Sequence, residues 1–190
     1  MFIITSSLLI AYLIGSIPTA YLLGKYFFDK DIRQLGSGNS GATNIFRVFG
    51  FWPAITVLML DILKGYFATS ISDEIGYQVF LGLMVIIGHI FPIFSRFRGG
   101  KAVTTTFGCF IAINPLVLII PVIVWIFTFT KSKISSLSSI ASIWSLCLSM
   151  ILIETHPMLN LFTLIVLVIV TFSHRKNIQR LLNGEEKKLF

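Results

Sequence analysis

The chain has 190 residues, 55% apolar and only 12% charged, with a formal net charge of +7. A water-soluble domain carries roughly 25% charged residues, so this composition excludes an ordinary soluble fold and makes lipid the main solvent. In a bilayer core only helices and closed barrels satisfy their own backbone. These apolar runs lack the alternation of barrel strands, so the expected class is an all-α polytopic membrane protein.

The first run, Phe2–Gly24, is long enough to span a bilayer. It lacks a basic leader and a small-residue cleavage site, and reads as a retained first helix rather than a signal peptide. The second, Phe51–Ser70, carries Asp61 and Lys64 three residues apart on one helical face. Both are costly in lipid, so they face inward as a pair; a structural ion pair is favoured over a proton or ion path. Tyr77–Phe94 follows. Ala102–Thr130, at about 29 residues, is too long for one span. Its Asn114-Pro115 is a turn signal, so it divides into two helices, the first short. Ser139–Ile153 and Pro157–Ser173 complete a set of about seven. Cys109 and Cys147 lie in apolar runs without metal or redox spacing, and no metal site is expected.

With that count, all but one of the 15 Lys and Arg fall on one membrane face, Lys64 being the exception. The opposite face receives Asp73, Glu74, Glu154 and His156. Cytoplasmic loops retain Lys and Arg, which places the N-terminus outside and the C-terminus in the cytoplasm.

Three basic-face segments carry the chemistry. The first, Leu35 to Asn44 followed by Arg47, sets Gly36, Gly38 and Gly41 among Ser37, Asn39, Ser40 and Thr43. Such a backbone supports a concave anion nest. It fits GxGxxG, but without a preceding strand it is no dinucleotide site. The second, Gly88 to Thr106, puts Gly99-Gly100-Lys101 ahead of a helix, where backbone donors, a positive helix end and an ammonium favour phosphate. Lys101 alone reads equally as a topology anchor, and His89 as a structural histidine at a helix end. In the third, Ser173 to Glu186, His174, Asn177 and Arg180 share one side if the helix continues; a basic tail touching anionic lipid is the plainer reading. Ser135 to Ser139 reads as a hydroxyl-bearing loop or a helix N-cap.

Together these segments resemble the bacterial acyl-phosphate:glycerol-3-phosphate acyltransferase family, a group of integral membrane enzymes. The matching stretches are Gly15-Ser16-Ile17-Pro18 with Tyr21 to Gly24, the GSGNSGATN run with Arg47, Asp61-x-x-Lys64-Gly65, GHIFPIFxxFxGGKAVTT and HRxNIxRLxxGxE. They follow the family's order and reach from the first helix to Glu186. Ser40 stands where many members have proline, and Ala102 where glycine is common.

The resemblance implies one multi-pass domain, 1–190, in the bacterial cell membrane, acting as a monomer with its active site on the cytoplasmic side. The implied reaction transfers an acyl group from acyl phosphate to glycerol-3-phosphate, giving lysophosphatidate and phosphate. No cofactor, metal or nucleic acid is involved, and membrane lipid surrounds the protein. Ser37, Arg47, Lys101, His174 and Asn177 form the implied catalytic set. Gly38, Asn39, Gly41, Ala42, Thr43, Asn44, His89, Gly99, Gly100 and Ser139 form the implied substrate-binding set. The glycerol hydroxyl attacks the acyl carbonyl directly. Its proton goes to His174 or to a substrate phosphate, and the family picture leans toward the phosphate. No His here has Asp as its fifth following residue; Phe94, Leu161 and Gln179 stand there instead. That departs from the acyl-CoA-dependent acyltransferase pattern and favours an acyl-phosphate donor. A phosphorylated-metabolite transporter is the rival class, but such proteins show repeats and midplane sites that this sequence lacks.

Overall fold

Apolar stretches form the helices of this protein, with proline tolerated only in a first turn, as at Pro53, Pro121 and Pro157. The computed structural model describes residues 2–154 and 156–189, and every regular element among these is helical. The chain divides into two units, one running to Ile113 and one starting at Asn114.

In the first unit, α1 (Phe2–Gly15) and α2 (Thr19–Phe28) replace the single expected helix. They meet at a 43° bend, because Pro18 has no N–H to donate and its ring crowds the preceding turn. A 3-10 turn, Ile32–Gln34, leads through the glycine segment to α3 (Ala42–Phe49). This short helix was not expected; its buried side is only Asn44 and Ile45, too brief a pattern to be read in advance. Then follow α4 (Phe51–Thr69), α5 (Ile75–Ile90) and the short α6 (Val103–Ile113). Helix α5 stops ahead of Pro92, as residues before proline avoid the helical region.

Small residues let these helices approach closely, as membrane helices require in the absence of a hydrophobic drive between them. A Cβ on Gly65 of α4 would collide with the Thr105 carbonyl of α6, and one on Gly108 of α6 with the Ile62 carbonyl of α4. Gly15 of α1 and Gly88 of α5 meet their neighbouring helices in the same reciprocal way, at Val85 and Tyr12.

The second unit opens with a 3-10 turn, Pro115–Leu118, that confirms the expected break at Asn114-Pro115. Helices α7 (Ile119–Ser132) and α8 (Ser135–Ile153) form a tight hairpin through Lys133 and Ile134. Ser142 of α8 donates to the Pro121 carbonyl of α7 at 2.7 Å. Helix α9 (Pro157–Ser173) then turns by 61° at His174 into α10 (Arg175–Leu182). The helix thus does not continue straight past Ser173, and the shared side of His174, Asn177 and Arg180, which depended on that, is not built that way. Among the described residues, four helical segments are long and apolar enough to cross a membrane, or up to six if each bent pair is one span.

Candidate active site

Within the first unit, the glycine segment is held from inside by one side chain. The Asn44 carbonyl oxygen accepts the Ser37 N–H at 2.8 Å, and its amide donates to the carbonyls of Leu35 at 2.9 Å and Ile32 at 3.2 Å. Asn44 is buried and its polar atoms all face the loop, so it shapes the expected nest rather than reaching into it. Gly36 and Gly38 adopt φ of +60° and +72°, where side chains are disfavoured. A Cβ at Gly36 would also strike the Asn44 oxygen. The N–H groups of Ser37 and Gly38 are both used internally, the latter on the Leu35 carbonyl at 2.9 Å. The start of α3 is differently placed. There Gly41 is the N-cap and no side chain caps the helix, so the positive end of the peptide dipoles sits at Gly41, Ala42 and Thr43. Arg47 lies half-buried one turn further along α3, and Ser37 and Gly38 are exposed.

The second segment corrects the reading of its glycines. Gly99 and Gly100 are pressed against the end of α5: a Cβ on Gly99 would collide with the His89 carbonyl, and one on Gly100 with the His89 ring. The Gly100 N–H donates to the His89 carbonyl at 3.2 Å. These two residues thus allow close packing, and that N–H is not offered to a phosphate. A Cβ on Gly100 would also lie 2.8 Å from the Ser40 carbonyl, so the first and second segments touch. Lys101, half-buried, follows at once and precedes α6. Ala102 has φ +61°, which explains why glycine is the common residue at this place in the resembling family.

His89 is buried and serves the packing, as a structural histidine at a helix end would, and it also borders the recess described below. Its Nδ1 lies 3.0 Å from Thr105 Oγ1 and 3.7 Å from Asp61 Oδ1. The expected pair of Asp61 and Lys64 is present at 2.8 Å, and Thr19 donates to the same carboxylate at 2.7 Å. Lys64 also reaches the Ile17 carbonyl at the α1–α2 bend. One polar knot thus joins the bend, α4, α5 and α6 beneath a narrow recess bordered by Ser40, Lys64, His89 and Gly100. Breaking such a buried pair from one side costs about 3–5 kcal/mol.

The second unit holds its own cluster. The His174 Nδ1 lies 2.8 Å from the Val170 carbonyl. A carbonyl only accepts, so Nδ1 carries a proton and the ring is oriented by that bond. Asn177 donates its amide to Glu186 Oε1 at 2.6 Å, Ser136 donates to the same oxygen at 2.6 Å, and Arg180 Nε binds Oε2 at 2.6 Å. Burial pushes the Glu186 carboxyl up, and the bonds from Arg180, Ser136 and Asn177 outweigh it, so the group is held below the usual range. Glu186 was absent from the expected site, although it ends the HRxNIxRLxxGxE pattern. Its part shows only in the way the tail folds back on α8. Ser135 to Ser139 form the first turns of α8 rather than a loop, and no side chain caps the helix start. Ser139 Oγ accepts the Trp125 indole N–H at 3.4 Å. Among the described residues no cluster suited to a metal ion occurs.

Apolar helices long enough to span a bilayer, joined by basic connectors, define an all-helical integral membrane protein. The chain belongs to the glycerol-3-phosphate acyltransferase family, whose model matches residues 5–184, and it is an acyltransferase. It is 44% identical to the glycerol-3-phosphate acyltransferase of Enterococcus faecalis, over 96% of this chain and 90% of that one. It is 41% identical to glycerol-3-phosphate acyltransferase 2 of Bacillus anthracis, over 96% and 97%. Two solved structures share the fold: crystal structures of PlsY (YgiH), an integral membrane glycerol 3-phosphate acyltransferase, in glycerol 3-phosphate and lysophosphatidic acid forms. Their TM-scores are 0.93 and 0.90 at 32% and 31% identity, each covering 97% of this chain and 94% of the other.

Proposed function

We propose that this protein transfers an acyl group from acyl phosphate to the 1-hydroxyl of sn-glycerol-3-phosphate, releasing lysophosphatidate and phosphate in the first acylation step of bacterial phospholipid synthesis. The observation that carries the reading is the close approach of Gly100 to the Ser40 carbonyl, which makes the connector bearing Lys101 a neighbour of the one leading into α3. Family membership supports glycerol-3-phosphate as acceptor, and the missing His-x-x-x-x-Asp pattern supports acyl phosphate as donor.

In this reading the Ser37 side chain and the backbone from Gly41 to Thr43 take the acyl-phosphate head at the start of α3, with Gly38 and Asn44 shaping the loop. Arg47, Lys101, His174 and Asn177 bind and orient glycerol-3-phosphate. Ser139 is a lesser contributor, its oxygen accepting the Trp125 indole N–H while its O–H remains a donor. The glycerol oxygen attacks the acyl carbonyl, the ester bond forms, and the bond from that carbon to the phosphate oxygen breaks. The hydroxyl proton passes to a substrate phosphate. Phosphate leaves readily, so positioning and charge stabilisation supply most of the acceleration. The family model crosses both units, which supports one acyltransferase domain over 1–190; we take that domain to act as a monomer. Counting each bent pair once and adding α6 gives about seven spans, with the basic connectors and the site in the cytoplasm.

The test is purified protein with acyl phosphate and radiolabelled glycerol-3-phosphate. Labelled lysophosphatidate forming without any thioester is the expected product. Dependence on acyl-CoA, or uptake of the unaltered ester into sealed vesicles, would sink the reading.

A further inference from the structure

Acyl transfer as described makes no use of an ion pair at the edge of the two connectors. Asp31 binds the Arg33 guanidinium as a fork, Nε at 2.9 Å from Oδ1 and Nη2 at 2.7 Å from Oδ2. A third donor, Nη1, crosses to the Ser95 carbonyl at 3.0 Å, 62 residues away in sequence. The guanidinium lies 4.3 Å over the Tyr21 ring of α2. One side chain thereby ties α2, the first connector and the second.

The second connector needs that tie. Arg96 and Phe97, directly after Ser95, have φ of +57° and +58°, a region that side chains rarely adopt. Such backbone persists only where its surroundings over-determine it. Here the Ser95 hydroxyl, itself buried, donates to the Arg98 carbonyl at 3.1 Å, and the Phe97 N–H reaches the Pro92 carbonyl at 2.8 Å. Gly99, Gly100 and Lys101 come next. On the other connector, the Arg33 carbonyl lies 3.2 Å from where a Cβ on Gly38 would sit. The fork is about one-fifth exposed on each partner. The bond to Arg33 holds the Asp31 carboxyl below its usual range, so the pair is ionised at neutral pH.

We propose that Arg33, fixed by Asp31, is a positioning residue that sets the spacing between the two phosphate-binding connectors. This rests on the acyl-transfer reading above. Arg33 touches no substrate and acts through Ser95 and the loop it belongs to. A lysine cannot replace it, being a point donor without the planar fork.

The experiment compares wild type, Arg33→Ala, Arg33→Lys, Asp31→Asn and the Asp31→Asn/Arg33→Ala double variant in the lysophosphatidate assay, with unfolding temperature measured in parallel. A small misplacement costs roughly a hundredfold in rate. We expect kcat/KM for both substrates to fall roughly tenfold to a hundredfold in every variant, the double being no worse than the singles. Asp29→Asn, which breaks only the exposed pair with Lys25, is expected to match wild type. Removing the acidic Asp31 would leave or improve a direct arginine–phosphate contact, so full activity in Asp31→Asn beside a dead Arg33→Ala overturns the proposal. Near-normal activity in Arg33→Lys overturns it, as does a lowered unfolding temperature with unchanged kinetics. If Arg33→Ala does not fold, Arg33→Lys and Asp31→Asn carry the comparison. An inactive wild type would remove the acyl-transfer reading and this proposal with it; an active wild type with unaltered variants removes this proposal alone.

Discussion

At the scale of single residues, Arg47 and Lys101, the basic side chains of the first unit assigned to the site, face different demands from Asn44. Arg47, in the last turn of α3, and Lys101, just ahead of α6, are half-buried, and Asn44 is bonded to its own loop. A hydrogen bond to a charged group contributes about 1.5–3 kcal/mol. Arg47→Ala and Lys101→Ala are therefore expected to lower kcat/KM for glycerol-3-phosphate by roughly tenfold to a hundredfold each, with unfolding temperature unchanged; wild-type kinetics in either would remove that residue from the site. Ala102 poses a different balance. Its left-handed backbone costs about 1 kcal/mol, and its buried methyl contributes about 0.8 kcal/mol. Ala102→Gly should thus lie within about 1 kcal/mol of wild type, while Ala102→Val, β-branched at positive φ, should destabilise by more than about 2 kcal/mol. Thermal unfolding in detergent distinguishes these outcomes.

Whole elements meet through contacts that tolerate little change. The second connector lies against the end of α5 because Gly99 and Gly100 have no Cβ. Gly100→Ala would press a methyl between the His89 ring and the Ser40 carbonyl, separating the two connectors. The expected result is a kcat/KM lowered roughly a hundredfold in protein that still purifies folded, and unchanged kinetics would show that the connectors need not touch. In the second unit, Glu186 binds α10 and the start of α8 together through Asn177, Arg180 and Ser136. Its folded-state carboxyl titrates below the ordinary value of 4.5. The stabilisation is therefore present above the unfolded value and is lost as pH falls through the lower, folded one. Hydrogen exchange in α10 should stay slow at neutral pH and rise only in acid, below about pH 4.5. Glu186→Gln should show fast exchange already at pH 7, and slow exchange there would make the carboxylate dispensable.

For the molecule as a whole, the distribution of charge makes a prediction that the helices alone do not. The basic connectors are expected on the cytoplasmic side. Cysteines introduced near positions 40, 98 and 176 should resist a membrane-impermeant thiol reagent applied to intact cells and react after permeabilisation. A cysteine near position 73 should react from outside. The reverse pattern would place the site on the wrong side of the membrane for a cytoplasmic phosphate ester.

Apolar run length, proline and asparagine placement and the Lys and Arg count were enough to read a helical membrane protein, the break at Asn114-Pro115 and the inward pairing of Asp61 with Lys64. Those features depend on neighbours along the chain and on the cost of polar groups in lipid. The bend at Pro18 and the turn at His174 were harder to read, since hydropathy continues across the first and the second depends on a ring bonding back to Val170. The division of labour within the motifs was not legible at all. Whether a glycine offers its N–H or makes room for a histidine, and whether an asparagine faces a ligand or its own loop, depends on atoms far away in sequence. Only the folded chain, which sets His89 against Gly100, Arg33 against Ser95 and Glu186 against Asn177, decides between those roles, because a motif records residue types and says nothing of where their partners lie.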